Sequence, residues 1–249
     1  MDRNALLAYL DATLTPASFK DYCPNGLQVE GRAQIERILC GVTASQALLD
    51  QAVAEGVDAV LVHHGYFWRN ENAAITGLRK KRLQTLLSND INLIAYHLPL
   101  DAHPQLGNNA QLALRMGWEV SGYFGEQNLG CIGKPIQRIE NVGSLTQQLM
   151  QLLAHKPMVI GDLNGPVERI AWCSGGAQSY FEDAIDAGAQ VFVSGEISES
   201  TVHLARESGT AYIAAGHHAT ERYGICALAE QLQAACGVQA WFVDLYNPV

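Results

Sequence analysis

Six residues of the 249-residue chain have the types and the spacing of metal ligands. They are His63, His64, His97, Asp101, His217 and Glu221. The first two are adjacent and follow an apolar run at residues 59–62, while the other four form two pairs in which a histidine precedes a carboxylate by four positions. In a helical turn this spacing brings both side chains of a pair to one face, where they can share a metal ion.

The size and chemistry of this set favour two metal ions over one. Six nitrogen and oxygen ligands are too many for a single tetrahedral zinc with an open position, and they suit two ions about 3.5–4 Å apart, as in two-metal hydrolases. Imidazole and carboxylate without sulfur are compatible with zinc, iron, manganese, nickel or cobalt. Taken singly, His97 could be a core residue, Asp101 a turn residue and Glu221 a helix cap. The combination favours a metal site.

Other polar and aromatic residues have two interpretations each. His103 is a proton carrier or a surface histidine, His218 contacts substrate or is exposed, and Glu196 reaches the site or has a structural role. A basic cluster either binds phosphate groups or forms a solvated surface; it contains Arg69, Arg79, Lys80 and Lys81. An aromatic run either stacks on a ring-shaped ligand or belongs to the core; it contains Tyr66, Phe67 and Trp68. His155 and His203 are not expected to be ligands.

Strand ends are the elements that would position the six residues. Residues 59–62 are all apolar and follow a helix that stops at Gly56, which predicts a parallel strand covered on both faces. Ligand sites of open α/β sheets lie at the carboxyl ends of such strands. If this strand ends at residue 62, the two adjacent imidazoles can splay over a loop towards different ions. Pro99 favours a loop over a regular helix at 97–101, whereas a helix N-terminus is expected at 217–221.

The second half of the chain repeats the first. ERIAWCSGGAQSYFEDAIDAGAQVFVSGE aligns without a gap on ERILCGVTASQALLDQAVAEGVDAVLVHH, so that Glu168 corresponds to Glu36 and Gly188 to Gly56. Each copy predicts a strand, a turn, a helix, a glycine stop and an apolar strand. The sequence therefore predicts an internal duplication of an α/β unit. The predicted segments are 1–117 (first repeat with an N-terminal helix), 118–166 (linking or inserted segment) and 167–249 (second repeat, interleaved with the first).

Two helix starts are predicted from capping residues. Thr43 is expected to cap the helix that precedes Gly56, and Ser144 is expected to cap a helix over 144–156. The glycine-rich stretch after residue 118 is expected to form hairpins.

Composition excludes several classes of protein. The formal net charge of −9 argues against nucleic acid as a partner, and no apolar run approaches the ~20 residues needed to span a bilayer. The six cysteines form no CxxC motif and are expected to be reduced. With a charged amphipathic N-terminus in place of a signal peptide, the chain is expected to be cytoplasmic.

Six short motifs together resemble the NIF-three-like dinuclear metal-binding family, also called GTP cyclohydrolase I type 2-like, and are most similar to its short bacterial members. They are NGLQVEG (25–31), HHG (63–65), HLPLD (97–101), GNN (107–109), SGE (194–196) and GHHATE (216–221). The resemblance implies two intertwined α/β lobes with mixed sheets, a dinuclear metal site in the cleft between them, and a toroidal homohexamer. It also implies that the ligands are His63, His64, Asp101, His217 and Glu221, with His97 as a ligand or a close neighbour.

The activity implied by the resemblance is hydrolytic opening of the GTP imidazole ring with release of formate. Glu221 would bridge two divalent transition-metal ions, and Glu221 and His97 would be the catalytic residues. The sequence contains no P-loop for a triphosphate. Two hypotheses follow. The chain is a metal-dependent hydrolase of a nucleotide or related heterocycle, or it is a non-catalytic protein that binds or delivers metal or regulates through its ring.

Overall fold

The computed structural model describes residues 1–249, which form ten α-helices and eleven β-strands in two mixed sheets, as the predicted α/β class requires. The strands are β1 Gly26–Val29, β2 Arg37–Thr43, β3 Ala59–His64, β4 Asn92–Ala95, β5 Trp118–Phe124, β6 Gly130–Pro135, β7 Met158–Ile160, β8 Ile170–Cys173, β9 Val191–Ser194, β10 Ala211–Ala214 and β11 Gln239–Phe242. The helices are α1 Arg3–Leu14, α2 Gln46–Glu55, α3 Gly77–Ser88, α4 Leu98–Ala102, α5 Asn108–Met116, α6 Val142–Leu153, α7 Phe181–Asp186, α8 Glu199–Ser208, α9 His217–Thr220 and α10 Arg222–Cys236. None of the helices is both long enough and apolar enough to cross a bilayer.

The chain divides into two compact units. Unit 1 contains Met1–Leu106 and Gly224–Tyr246, and unit 2 contains Gly107–Tyr223 and Asn247–Val249. The stretch 118–166, expected to be a linking segment, supplies three strands of the unit 2 sheet, while the C-terminal strand β11 pairs in unit 1. The boundaries of the units therefore differ from those of the predicted repeats.

The sheet of unit 1 has the order β1-β4-β3-β2-β11. Strands β4, β3, β2 and β11 run parallel, and β1 is antiparallel at one edge. Along β3, Ala59 and Leu61 pack in one core cluster while Val60 and Val62 pack in another. Because alternate side chains of a strand point to opposite faces, β3 is buried on both sides, as its continuous apolar run predicted.

The sheet of unit 2 has the order β5-β6-β8-β9-β10-β7, with β8, β9 and β10 parallel. The predicted hairpin region supplies the antiparallel pair β5–β6. One face of the sheet packs against α6 and α5 through a buried hydrophobic cluster that includes Leu145 and Leu149. Three aromatic residues, Phe181, Phe192 and Tyr212, pack together in this unit with ring centroids 4.9–5.9 Å apart.

Both predicted helix caps are corrected by the structure. Helix α2 is capped by Ser45, whose hydroxyl accepts from Leu48 N at 3.3 Å, because Thr43 is still paired in β2 with His64 of β3. Helix α6 is capped by Asn141, whose Oδ1 accepts from Ser144 N at 2.8 Å. Ser144 therefore lies inside the first turn. In each case a nearby residue of equal or better capping ability holds the position.

The two predicted repeats have corresponding topologies. The order β4-β3-β2 in unit 1 has its counterpart in β10-β9-β8 of unit 2. The register also corresponds, because Ile38 pairs with Ala59 between β2 and β3, and Ile170 pairs with Val191 between β8 and β9. All six cysteines are free, as expected.

Candidate metal centre

The carboxyl end of β3 carries the two adjacent histidines of unit 1. The strand continues through His64, so the loop considered for these residues does not form. His63 is fully buried and His64 is half-buried, and their ring centroids lie 4.5 Å apart. His63 Nδ1 donates to the Tyr96 carbonyl at 3.0 Å, and His64 Nδ1 shares a hydrogen bond with Thr43 Oγ1 at 3.2 Å. In both rings Nε2 is therefore the nitrogen that would bind a metal.

His97 and Asp101 lie at the start of α4, directly after β4. Residues 98–102 are helical although a loop was expected, because Pro99 occupies the first turn, where its missing N–H has no intrahelical partner. The helix brings Asp101 Oδ1 to 3.5 Å from His63 Nε2, and only 7% of Asp101 is exposed. The His97 ring centroid lies 5.1 Å from that of His63 and 5.7 Å from that of His64. All four predicted ligands of unit 1 are thus neighbours.

Asp21 and Asn25 hold His97 in place. Asp21 Oδ1 accepts from His97 Nδ1 at 2.7 Å, and Asn25 Oδ1 accepts from the His97 backbone N–H at 2.7 Å. Asp21 Oδ2 also accepts from Leu98 N at 3.0 Å. Burial alone would raise the pKa of Asp21, but the hydrogen bond and charge of His97 outweigh it and lower that pKa to about 2. From the sequence, Asp21 and Asn25 were recognised only as turn residues. Their contacts with His97 join residues more than seventy positions apart, and no local sequence pattern indicates such contacts.

In unit 2, His217 and Glu221 lie around the single turn of α9. His217 Nε2 is 3.1 Å from Glu221 Oε2, and Glu221 is buried. On the other side of the ring, Glu196 Oε1 is 2.7 Å from His217 Nδ1. Burial acts to lower the pKa of His217, but the two carboxylates outweigh it and raise that pKa to about 9. Glu196 therefore reaches the candidate site through its contact with His217, which is one of the two roles that the sequence left open for it.

The turn after β8 leaves room for Glu221 because it is built from glycine. Gly175 has φ +65°, a left-handed conformation, and a Cβ there would lie 2.1 Å from Glu221 Oε1. The Gly175 N–H donates to Thr220 Oγ1 at 3.0 Å, which ties this turn to the residue before Glu221. A side chain at this position would therefore occupy the space of the carboxylate.

These donors fit transition-metal ions. Two ligand atoms bound tetrahedrally to one zinc at 2.0–2.2 Å are about 3.4 Å apart. The His63–Asp101 and His217–Glu221 pairs have separations of 3.5 and 3.1 Å. Ring nitrogens of His63, His64 and His97 also lie within 4.8 Å of one another. Carboxylates and carbonyls on the Nδ1 side are the groups that orient metal-binding histidines in proteins.

Comparison with known proteins identifies the family. The sequence model of Duf34/NIF3 (NGG1p interacting factor 3) matches residues 1–248. The chain belongs to the DUF34/NIF3 family. Proteins named "GTP cyclohydrolase 1 type 2 homolog" from Pseudomonas aeruginosa and Escherichia coli K12 are 50% and 49% identical to it, with 98% and 100% of both chains covered. The resemblance inferred from the six motifs is thus confirmed.

Solved structures share the DUF34/NIF3 fold over the whole chain. The protein ybgI, described as of unknown function, is 48% identical, with a TM-score of 0.96 and full coverage of both chains. TTHA1606 from Thermus thermophilus is 35% identical, with a TM-score of 0.87 and full coverage of both. Reduced HcgD from Methanocaldococcus jannaschii has a TM-score of 0.85 at 23% identity over 98% of both chains, which shows the fold alone.

Two further histidines of this DUF34/NIF3 protein, His103 and His203, have local contacts. His103 Nδ1 accepts from Leu106 N at 2.9 Å and from Gln105 N at 3.2 Å, and therefore stabilises the turn after α4. His203 Nε2 is 2.9 Å from Glu199 on the exposed face of α8. These contacts assign His103 to the turn and pair His203 with Glu199.

Proposed function

We propose that this DUF34/NIF3 protein is a dinuclear metal-dependent hydrolase that opens the imidazole ring of GTP and releases formate. The observation that carries the proposal is the approach of an imidazole Nε2 to a buried carboxylate oxygen in each unit, at 3.5 Å for His63–Asp101 and 3.1 Å for His217–Glu221. The substrate is taken from the names of relatives about 50% identical over nearly the whole chain.

The proposed ligands come from both units. They are His63, His64, Asp101, His217 and Glu221, with His97 as a sixth ligand or a close neighbour. Their nitrogen and oxygen donors suit two divalent ions of zinc, iron, manganese, nickel or cobalt. When bound, such ions would polarise the substrate and acidify a water molecule. Glu221 is proposed to serve both ions.

As a close neighbour of the metal ligands, with Nε2 not bound to metal, His97 is proposed to transfer protons at Nε2. Its Nδ1 is held by the Asp21 carboxylate, which fixes the tautomer and orients the ring. The Asn25 side chain fixes the backbone of the same residue. His97 is thus held from two sides, as a proton-transfer group must be to meet its substrate in one orientation.

Three further parts of the proposal concern the whole chain. An internal duplication is supported by the corresponding strand orders and registers of the two sheets. Assembly into a toroidal homohexamer follows from the family resemblance. A cytoplasmic location is supported by six free cysteines.

Metal analysis and a formate assay on the same sample test the proposal. We expect close to two transition-metal ions per chain and release of formate from GTP, lost in Glu221→Gln and His97→Gln. Glu199→Gln, on an exposed helix face, is the control. Two ions without formate would overturn the GTP assignment and favour a metal-binding or metal-delivery protein. One ion or none at saturating metal would overturn the dinuclear centre.

A further inference from the structure

Two aromatic side chains outside the proposed ligand set contact the imidazole of His97. The Trp68 ring centroid lies 4.9 Å from that of His97 with the planes at 87°, and the Tyr22 centroid lies 6.4 Å from it at 63°. Trp68 also lies 5.9 Å from His64. Both rings therefore border the histidines of unit 1, and we refer to the two together as the aromatic surface.

This surface is open to ligands. Tyr22 is 45% exposed and Trp68 is half-buried. Tyr66, by contrast, is 8% exposed and its hydroxyl donates to the Ala44 carbonyl at 2.7 Å, which makes it a core residue. Exposed rings beside convergent polar groups are typical of small-molecule sites.

The backbone that presents Trp68 is strained and held. Phe67 has φ +65°, a left-handed conformation that is unusual for an aromatic residue, and Asn70 has φ +70°, which asparagine adopts more readily. Two hydrogen bonds maintain it, from Trp68 Nε1 to the Gly65 carbonyl at 3.2 Å and from Arg69 N to the Tyr22 carbonyl at 2.6 Å. Such strain persists where surrounding contacts fix it, and it concentrates at functional sites. Here the backbone hydrogen bond ties Arg69, the residue after Trp68, to Tyr22.

Arg69 adds a positive charge to the same surface. Its guanidinium lies 5.4 Å from the Tyr22 ring centroid and donates to the Asp21 carbonyl at 2.9 Å. It forms no salt bridge with a carboxylate, whereas Arg79 is paired with Glu71. Aromatic faces accept flat bases by stacking, and guanidinium groups bind phosphate. Together these groups select a flat ring that carries an anionic group.

We propose that Tyr22, Trp68 and Arg69 form a purine-nucleotide subsite, in which the two rings hold the base and Arg69 holds phosphate. The proposal deepens and rests on the proposed function, since it places a purine base beside His97 and the predicted metal ligands.

Equilibrium dialysis of metal-loaded protein against GTP, GMP, guanosine and ribose 5-phosphate tests the subsite. We expect Trp68→Leu and Tyr22→Leu each to weaken guanosine and GMP binding about tenfold, because leucine keeps apolar bulk but removes the stacking face. Trp68→Phe and Tyr22→Phe should keep most of the affinity. Arg69→Gln should weaken GMP and leave guanosine unchanged. Tyr123→Leu, which replaces a 53% exposed tyrosine in unit 2, is the matched control.

Four results would overturn the subsite. The first is that neither GTP nor guanosine binds the wild type, and the second is that the leucine variants bind guanosine as tightly as the wild type does. The third is that the wild type binds ribose 5-phosphate as tightly as GMP. The fourth is that the leucine variants change in oligomeric mass while their guanosine affinity stays at the wild-type value. The last result would assign the aromatic surface to contacts between copies. Metal content and circular dichroism of each variant establish that the fold and centre are intact.

Formate release from GTP separates this proposal from the hydrolase proposal. Guanosine binding with the expected variant pattern but without formate would support the subsite and contradict the hydrolase. Formate release at the wild-type kcat/KM by the two leucine variants would overturn the subsite and leave the hydrolase standing.

Discussion

The histidines of the candidate centre differ in the group that holds Nδ1. A backbone carbonyl holds His63 and a threonine hydroxyl contacts His64, while carboxylates hold His97 and His217. A carboxylate partner raises the basicity of an imidazole more than a neutral partner does. His97 and His217, which precede Asp101 and Glu221 by four positions, are therefore also the two histidines whose Nδ1 is held by a carboxylate.

Replacement of Asp21 with asparagine tests how His97 is held. Both Asp21 oxygens accept hydrogen bonds, from His97, Leu98 and others, and the amide of asparagine would turn an N–H group towards a donor. We expect Asp21→Asn to lower the free energy of unfolding of the metal-free protein by about 1.5–3 kcal/mol at pH 7. Urea denaturation measures this.

The pH dependence of that loss has a defined sign. The folded pKa of Asp21 is about 2 and its ordinary value is 3.8, so its stabilisation is present above pH 4 and is lost as pH falls towards 2. The difference between wild type and Asp21→Asn should shrink over that range. Asp186→Asn, on an exposed helix face, is the control and should change little. Equal unfolding free energies for wild type and Asp21→Asn at pH 7 would contradict the proposed contact.

The Glu196–His217 pair predicts the opposite pH dependence. Glu221 and, to a smaller extent, Glu196 raise the pKa of His217 from 6.5 to about 9, so the part contributed by Glu196 is complete below pH 6.5 and is lost as pH rises through 9. In the metal-free protein, Glu196→Gln should therefore be less stable than wild type at pH 6, and the two should converge by pH 9.5. Urea unfolding at several pH values measures the difference.

The pair on α8 is a matched control for this prediction. Glu199 and His203 are 2.9 Å apart but 86% and 61% exposed, so solvent screens their interaction. Glu199→Gln should have little effect at any of these pH values. A Glu196→Gln variant that behaves in the same way would show that the contact with His217 is too weak to shift its pKa.

At the level of elements, the strand-to-helix turns position the ligands. Helix α4 follows β4 after two residues, and α9 follows β10 after two. These short connections fix where His97 and His217 begin their helices. The glycine turn after β8 is the third such element, because it lies against Glu221 and His217.

Two glycines with similar backbones test this turn. Gly175 has φ +65° and Gly209 has φ +74°, so alanine is strained at both. Around Gly209 no atom lies within 4 Å of an added Cβ, whereas at Gly175 that Cβ would lie 2.1 Å from Glu221 Oε1 and 3.3 Å from His217 Nε2. We expect Gly209→Ala to cost about 1 kcal/mol of stability with full metal content. Gly175→Ala should cost more and lose metal, as measured by urea unfolding and elemental analysis. Full metal content in Gly175→Ala would contradict the assigned role of Glu221.

The sequence predicts an element well where one pattern dominates it. The apolar run of β3 and the glycine stop of α2 are both found where expected. Helix starts were harder, since Thr43 and Ser45 are both capping residues and only strand pairing decides between them. Asp21 could not be recognised as a partner of His97, because their contact depends on how β1 and β4 pair.

At the scale of the whole molecule, the proposed ligands are divided between two units. Four of them, His63, His64, His97 and Asp101, belong to unit 1, and His217 and Glu221 belong to unit 2. The chain crosses from unit 1 to unit 2 and back, so each unit is completed only after nearly the whole sequence has been made. The proposed function assigns both sets to the same pair of ions, so that loss of a ligand from either set would weaken the same centre.

A double-variant experiment tests that assignment. Metal bound to the native state raises the unfolding temperature, and removal of metal should therefore lower it. Ligands of one shared centre should be non-additive, because the first loss already weakens the centre. We expect His64→Gln and His217→Gln each to reduce metal content and the metal-dependent rise in Tm. The double variant should lose little more than the stronger single variant. Calorimetry with and without chelator measures the rise, and His203→Gln is the control. Fully additive losses would instead indicate that each unit binds metal independently.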